Sequence, residues 1–364
     1  MVKVDVISGF LGAGKTTLIK KLFSARMGKE RIALIENEFG EIGIDGSFLK
    51  ESGVRIKEIN SGCICCSLVG NFEQSLKEII DAYSPDRIII EPSGVGKLSD
   101  IVSAITNTGL DLKINVLCTV VDGGKCGMYL KNFGEFYIDQ VSKANVIVVS
   151  KTEKLSEAKI SSTVELIKKY NSEATFITTP LNEIDEELLI KNLEGNSSLV
   201  SELLDEIARD KKSHHDEEEC GCGHHHHDHD DEECGCGHHH HHDEEECGCG
   251  HHHHDHDEEE CGCGHHHHGH DADEVFSSWG TETPVSYSKE ELNGILSALC
   301  GSAFGMILRA KGIVRASDND GWYHFDLVAG EYEIRIGCAD VTGKVCVIGS
   351  GLDKAGVEKL FIKR

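Results

Sequence analysis

Three groups of residues in this chain have the types and spacing that chemistry requires. The first is Gly9-Phe10-Leu11-Gly12-Ala13-Gly14-Lys15-Thr16, which satisfies the phosphate-binding pattern G-x-x-x-x-G-K-[ST] at every fixed position. Successive backbone N–H groups of such a loop cradle phosphate oxygens at the start of a helix. Lys15 is placed to reach the β- and γ-phosphates, the Thr16 hydroxyl to ligate Mg²⁺, and Thr17 follows at the same helix start. The second group is Gly62-Cys63-Ile64-Cys65-Cys66. Its thiolates, from Cys63, Cys65 and Cys66, are spaced so that they can converge on one soft cation. Neighbours on an extended chain face opposite ways, so Cys65 and Cys66 do not both belong to one apolar core. The third group is Glu-Cys-Gly-Cys-Gly-His-His-His-His, repeated from Glu219, Glu233, Glu246 and Glu260. Its thiols are Cys220, Cys222, Cys234, Cys236, Cys247, Cys249, Cys261 and Cys263. With the imidazoles and carboxylates alongside, they suit zinc, nickel or cobalt, and Cu(I) through the thiols.

The elements that position the first group are legible around it. Val2 to Ile7 is rich in β-branched residues and reads as a buried strand. Thr17 to Ala25 carries apolar residues at Leu18, Leu22 and Ala25 and reads as a helix. Strand, glycine loop and helix together are the setting the motif needs. Further short apolar runs at 31–35, 54–59, 87–90, 115–121 and 145–149 read as strands, with helical stretches between them. That alternation predicts an α/β domain with a mostly parallel sheet covered on both faces.

Several strand ends carry polar groups. Arg31 to Ile35 runs into Glu36-Asn37-Glu38-Phe39-Gly40-Glu41, placed either to sense Mg²⁺ or γ-phosphate or to be a solvated loop. Arg87 to Ile90 closes on Glu91-Pro92-Ser93-Gly94, an arrangement in which Glu91 holds Mg²⁺ or its water and Gly94 lets its N–H approach a γ-phosphate. The run 145–149 ends in Ser150-Lys151-Thr152-Glu153. Guanine-selective proteins carry Asn-Lys-x-Asp at such a point. Here Glu153 takes the role of the acid, Lys151 that of the lysine over the base, and Ser150 that of the asparagine.

Composition divides the chain. Residues 213–274 hold 22 of the 23 histidines, 8 of the 16 cysteines and 21 acidic residues, with no Lys or Arg. Removing them takes the net charge from −27 to about −6. The four repeats lack aliphatic residues and cannot bury a core, so the stretch is expected to be a disordered linker. A coil of about 60 residues spans on the order of 45 Å, which keeps bound metal near the folded parts at high effective concentration. Acidity of this kind argues against nucleic acid as a partner. No run of 18 apolar residues exists, so no membrane span is expected. The N-terminus enters strand and loop directly, without a signal peptide. Cysteines in that setting point to metal chemistry in a reducing cytoplasm.

From Val275 the pattern becomes globular again. Strands are expected at 275–279, 305–314, 322–327, 331–336 and 344–348, and helices at 288–299 and 353–361, an α+β arrangement. Cys300, Cys338 and Cys346 are isolated and read as packing residues, and His324 as structural.

Taken together, Ser8 to Thr17, Glu36 to Gly40, Gly62 to Cys66, Glu91 to Gly94 and Ser150 to Glu153 resemble the CobW family of metallochaperone GTPases. The resemblance covers residues 1–200 strongly and 275–364 more loosely. It implies a P-loop GTPase domain over 1–200 and a ferredoxin-like C-terminal domain over 275–364, on either side of the disordered metal-binding linker read from composition over 201–274. Arg309-Ala310-Lys311-Gly312 is similar to the family's Arg-x-Lys-Gly stretch. It also implies GTP and Mg²⁺ as cofactors, metal on Cys63, Cys65 and Cys66, and GTP hydrolysis coupled to delivery of a transition metal to a client protein. Zinc and cobalt are the metals expected first, with nickel or iron as alternatives. Two other readings are a metal buffer acting through the His/Cys tract and a nickel-enzyme maturation GTPase.

Overall fold

The structure, a computed structural model, describes residues 1–26, 28–37, 55–59, 69–195, 200–201, 204 and 272–362. The first half is a seven-stranded parallel sheet built from β1 (Val2–Gly9), β2 (Ile32–Asn37), β3 (Arg55–Ile59), β4 (Arg87–Glu91), β5 (Leu112–Asp122), β6 (Val146–Ser150) and β7 (Thr175–Ile177). Its spatial order is β3-β2-β4-β1-β5-β6-β7. Successive strand residues face opposite sides of a sheet, and the core follows that rule. Ile88 and Ile90 enter one apolar cluster with Val4, Val6 and Ile35, while Ile89 enters a second with Leu34, Val116 and Val148. Burial on both faces explains why these strands read as unbroken apolar runs.

Helices α1 (Lys15–Arg26), α2 (Val69–Tyr83), α3 (Leu98–Asn107), α4 (Cys126–Asn132), α5 (Gly134–Ser142) and α6 (Glu157–Lys168) join these strands, and α7 (Glu186–Glu194) follows β7. Side-chain caps fix two of their starts. Ser156 accepts from the Lys159 N–H, and Asp185 accepts from the N–H groups of Glu187 and Leu188. At the amino ends of the strands, fully buried Arg87 binds Asp5 at 2.6 Å, Glu30 at 2.7 Å and Glu194 at 2.9 Å. This charge cluster lies at the end of the sheet opposite the phosphate loop.

The chain is described again from α8 (Ala272–Val275), a single helical turn, so the strand expected from Val275 starts two residues later as β8 (Ser277–Thr283). Ala272 is buried and Leu204 packs against the same cluster, so folded structure reaches into both edges of the span expected to be linker. There follow β9 (Ser286–Tyr287), α9 (Lys289–Leu299), β10 (Met306–Ala316), β11 (Trp322–Val328), β12 (Glu331–Gly337), β13 (Gly343–Ser350) and α10 (Lys354–Phe361). Ser288 and Glu291 form a reciprocal capping box at the start of α9.

The second sheet runs β12-β11-β10-β13-β8, with antiparallel neighbours throughout and β9 alongside β10 in parallel. This is the α+β domain expected. One face packs on α9 and α10 through Leu292, Leu296, Val345, Val347 and Phe361. The alternate residues Cys346 and Ile348, with Leu308 and Ile313, join the apolar cluster of the first half. Both sheets belong to one compact unit. Cys346 is a packing residue as expected, but Cys300 and Cys338 are exposed. Cys300 caps the end of α9 and Cys338 follows edge strand β12, positions that the apolar faces of the sheet do not reach. His324 is buried and its Nε2 lies 2.8 Å from the Cys338 carbonyl, a structural placement.

Candidate functional site

β1 lies between β4 and β5, so the loop after Gly9 leaves the sheet where strand order changes direction. Open parallel sheets bind ligands at that point, outside the carboxyl ends of the strands. The ends of β4 and β5 carry Glu91 and Asp122.

The loop has little freedom. Gly9 has φ +138°, and a Cβ there would stand 2.3 Å from the Val120 carbonyl oxygen. Only glycine lets the chain turn so closely over β5. Phe10 is buried in an aromatic cluster with Tyr129 at 4.5 Å, Phe133 at 5.4 Å and Phe276 at 6.1 Å between ring centroids. The Ser150 hydroxyl donates to the Ala13 carbonyl at 2.5 Å and to the Val121 carbonyl at 3.2 Å, tying the loop to the ends of β5 and β6.

The expected phosphate and Mg²⁺ residues come together. Lys15 Nζ donates to the Gly9 carbonyl at 2.9 Å and stands 3.9 Å from Glu91 Oε1. The Thr16 hydroxyl donates to the same Glu91 oxygen at 3.5 Å. Hydroxyl and carboxylate oxygens in this position are the hard donors that Mg²⁺ takes alongside phosphate and water. Gly94 touches Leu11 of the loop, and its carbonyl, with that of Gly96, accepts from Gln140 Nε2 of α5 at 3.4 and 2.7 Å.

Lys151 has φ +58°, and its ammonium pairs with Asp122 Oδ2 at 2.7 Å. The other Asp122 oxygen accepts from the N–H groups of Gly124 at 2.9 Å and Lys125 at 3.2 Å. Glu153 lies exposed on the following 3₁₀ turn, whereas Lys151, Lys154 and Leu155 line the cleft.

The cleft above the loop has a volume of about 820 Å³. One wall is Lys15, Thr16 and Glu91, and the facing wall comes from the second sheet, with Arg309, Lys311 and Asp326. Sequence reading passed over Asp122, Lys125 and Asp326. For Asp122 a signal existed, an acid followed by two glycines at the carboxyl end of a buried strand. Lys125 and Asp326 carried none, because only packing brings them to the loop.

A family model described as CobW/HypB/UreG, nucleotide-binding domain, matches residues 3–178. A second, described as the cobalamin synthesis protein cobW C-terminal domain, matches residues 276–363. The zinc chaperone CobW of Sinorhizobium sp is 30% identical over 257 residues, covering 62% of this chain and 70% of that protein. The chain belongs to the CobW family. The zinc chaperone YeiR of Escherichia coli (strain K12) is 35% identical over 156 residues, 42% of this chain and 48% of that protein. The zinc-regulated GTPase metalloprotein activator 1 of Schizosaccharomyces pombe is 30% identical over 209 residues, 54% of this chain and 51% of that protein. The chain thus spans about half the length of these last two relatives. The zinc(II)-bound YjiA GTPase from E. coli superposes with a TM-score of 0.41 at 17% identity, over 99% of this chain and 98% of that one.

Within this CobW-family chain, the expected metal thiols Cys63, Cys65 and Cys66 and the eight cysteines of the tract lie outside the described residues, as do Glu38 to Gly40. Among the described residues no group of three or more His, Cys, Asp or Glu side chains is assembled for a metal. None of the described helices is long and apolar enough to cross a membrane.

Proposed function

We propose that this chain is a GTP-hydrolysing metallochaperone. It takes a transition metal, zinc first and cobalt second, on Cys63, Cys65 and Cys66 and passes it to a client protein. The observation that carries this reading is the meeting of Lys15, Thr16 and Glu91 at the head of one cleft, in a chain that also bears a three-thiol motif. The names of the relatives, zinc chaperones and a zinc-regulated GTPase metalloprotein activator, support it.

In this reading Lys15 moves from the Gly9 carbonyl to the β- and γ-phosphates. Thr16 and Glu91 are the residues that would hold Mg²⁺, which would neutralise charge on the phosphate oxygens. Lys151, held by Asp122, and Glu153 are the residues proposed to meet the base. The thiol motif lies in sequence between the segments 36–40 and 91–94. Contacts of those segments with the γ-phosphate would couple the nucleotide to the thiolate site, and hydrolysis would loosen that site. The His/Cys tract stocks metal for that site.

The test uses protein lacking residues 213–268, a deletion that keeps the buried Ala272 and Phe276. Zinc affinity is measured with a non-hydrolysable GTP analogue and with GDP. The reading expects one zinc held more tightly in the triphosphate form, and loss of that zinc with Cys65→Ala and Cys66→Ala while nucleotide still binds. Equal zinc affinity in the two nucleotide states would remove the coupling and leave a metal buffer attached to an NTPase.

A further inference from the structure

The second sheet does more than cover the apolar face of the first. Its β11–β12 hairpin comes down on the phosphate loop. A Cβ on Gly12 would lie 2.4 and 2.6 Å from the two methyl carbons of Val328, so loop and hairpin are in direct contact. The hairpin turn is two residues long, with Ala329 at φ +44° and Gly330 at φ +86°. Both central residues are left-handed, as in the type I′ turn that matches strand twist. The turn is fastened on several sides. The Ala329 N–H donates to the Leu308 carbonyl at 3.0 Å. Lys125, just past the end of β5, donates to the Val328 carbonyl at 2.6 Å and pairs with Glu331 at 3.1 Å.

Register then decides which side chains face the loop. Arg309 on β10 stands directly opposite Val328 on β11, and Lys311 opposite Asp326. Directly opposed residues of an antiparallel pair project from the same face. Val328 points at Gly12, so Arg309 and Lys311 point to the same side, and both line the cleft that Lys15 and Thr16 line from below. Asp326 stands 3.6 Å from the Arg309 guanidinium, longer than a hydrogen bond, and steadies it by charge.

We propose that Arg309 is a nucleotide-binding residue which contacts the terminal phosphates of the nucleotide held by the loop, and so lets the C-terminal sheet distinguish triphosphate from diphosphate. A guanidinium presents a planar fork of donors that matches phosphate oxygens and keeps its charge at any working pH. Placed above Gly12, it meets the extra negative charge of the γ-phosphate, which GDP lacks. The Lys125 latch keeps the hairpin seated while this happens. The C-terminal sheet is then a second wall of the nucleotide site.

This inference rests on the nucleotide reading given above, and the experiment separates the two. Affinities for a non-hydrolysable GTP analogue and for GDP are measured, with Mg²⁺, on the full chain and on Arg309→Gln, Arg309→Lys and Lys15→Ala. Arg309→Gln removes the charge and shortens the side chain while keeping a polar end, and its melting temperature reports whether the fold survives. The expected result is a loss of at least about tenfold for the triphosphate analogue with Arg309→Gln, the size of one lost charge-assisted contact. GDP affinity should change less than threefold, and Arg309→Lys should recover part of the loss. If Arg309→Gln binds both nucleotides as the unaltered chain does, while Lys15→Ala binds neither, the proposal fails and the nucleotide reading stands. If the unaltered chain binds neither nucleotide, both fall. An equal loss for both nucleotides would place Arg309 away from the γ-phosphate and also overturn the proposal.

Discussion

The contact between the hairpin and the phosphate loop can be tested by putting one methyl group into it. Gly12→Ala carries two separate costs. Gly12 has φ +68°, where an L-residue other than glycine is disfavoured by about 1–2 kcal/mol. In addition, the new Cβ would stand 2.4 and 2.6 Å from the Val328 methyl carbons, where carbons in contact prefer about 3.5–4.0 Å. The hairpin must back away by about 1 Å, and overpacking of that kind costs about 1–3 kcal/mol. Val328→Ala alone removes two methyl groups from a half-buried position, a loss of about 1 kcal/mol. In the double variant the overpacking largely disappears, since the next atom, Val328 Cβ, is at 3.1 Å, while the φ cost remains. The double variant should therefore be more stable than the sum of the singles predicts, by the relieved overpacking of about 1–3 kcal/mol, a size that residues in direct contact show. Denaturant unfolding of the four proteins measures this directly. Additivity within about 0.5 kcal/mol would mean that Val328 does not rest on Gly12, and the argument for a second wall would lose its basis.

Other expectations follow from the same structure. Arg87→Met should destabilise by about 3–5 kcal/mol, because Asp5, Glu30 and Glu194 are left around a missing cation; adding Asp5→Asn should restore part of the loss in thermal unfolding. The hydrogen bond from Arg87 holds the Glu30 carboxyl below its ordinary range. For Glu194, burial pushes the carboxyl up but is outweighed by Arg26 and Arg87, so it also sits low. Stability from these two groups is present above about pH 4.5, their ordinary value, and is lost as pH falls through their lowered values. Asp5 runs the other way, since burial raises its carboxyl despite Arg87, and its contribution is lost as pH rises. Arg87→Met should therefore flatten the acid limb of a stability–pH curve, and an unchanged limb would refute that origin. Asp122→Asn keeps an acceptor for Gly124 and Lys125 but loses the charge that holds Lys151, and should weaken nucleotide binding by about 1–2 kcal/mol in a titration. The isolated 213–268 peptide should bind zinc at neutral pH and release it near pH 5, because its imidazoles protonate around pH 6.5; zinc retained in dialysis at pH 5 would contradict this.

The sequence by itself determined the chemistry that is local in the chain. Lys15 and Thr16 follow their glycines at fixed spacing, so the loop that bends them toward a phosphate is written within eight residues. Unbroken β-branched runs determined that the first sheet would be parallel and buried on both faces, and period-two alternation along β13 sends Val345 and Val347 to one core and Cys346 and Ile348 to another. Glu91 was readable because it ends a strand, although its approach to Thr16 was not. What only the tertiary structure decided is everything that depends on which strand lies beside which. Asp122 reaches Lys151 because β5 and β6 are neighbours. Arg309 faces the phosphate loop because the β10–β11 register sets it opposite Val328, and Val328 rests on a glycine more than 300 positions earlier in the chain. No local pattern encodes such a meeting, since it is fixed by the shapes of two apolar faces that must be buried against each other.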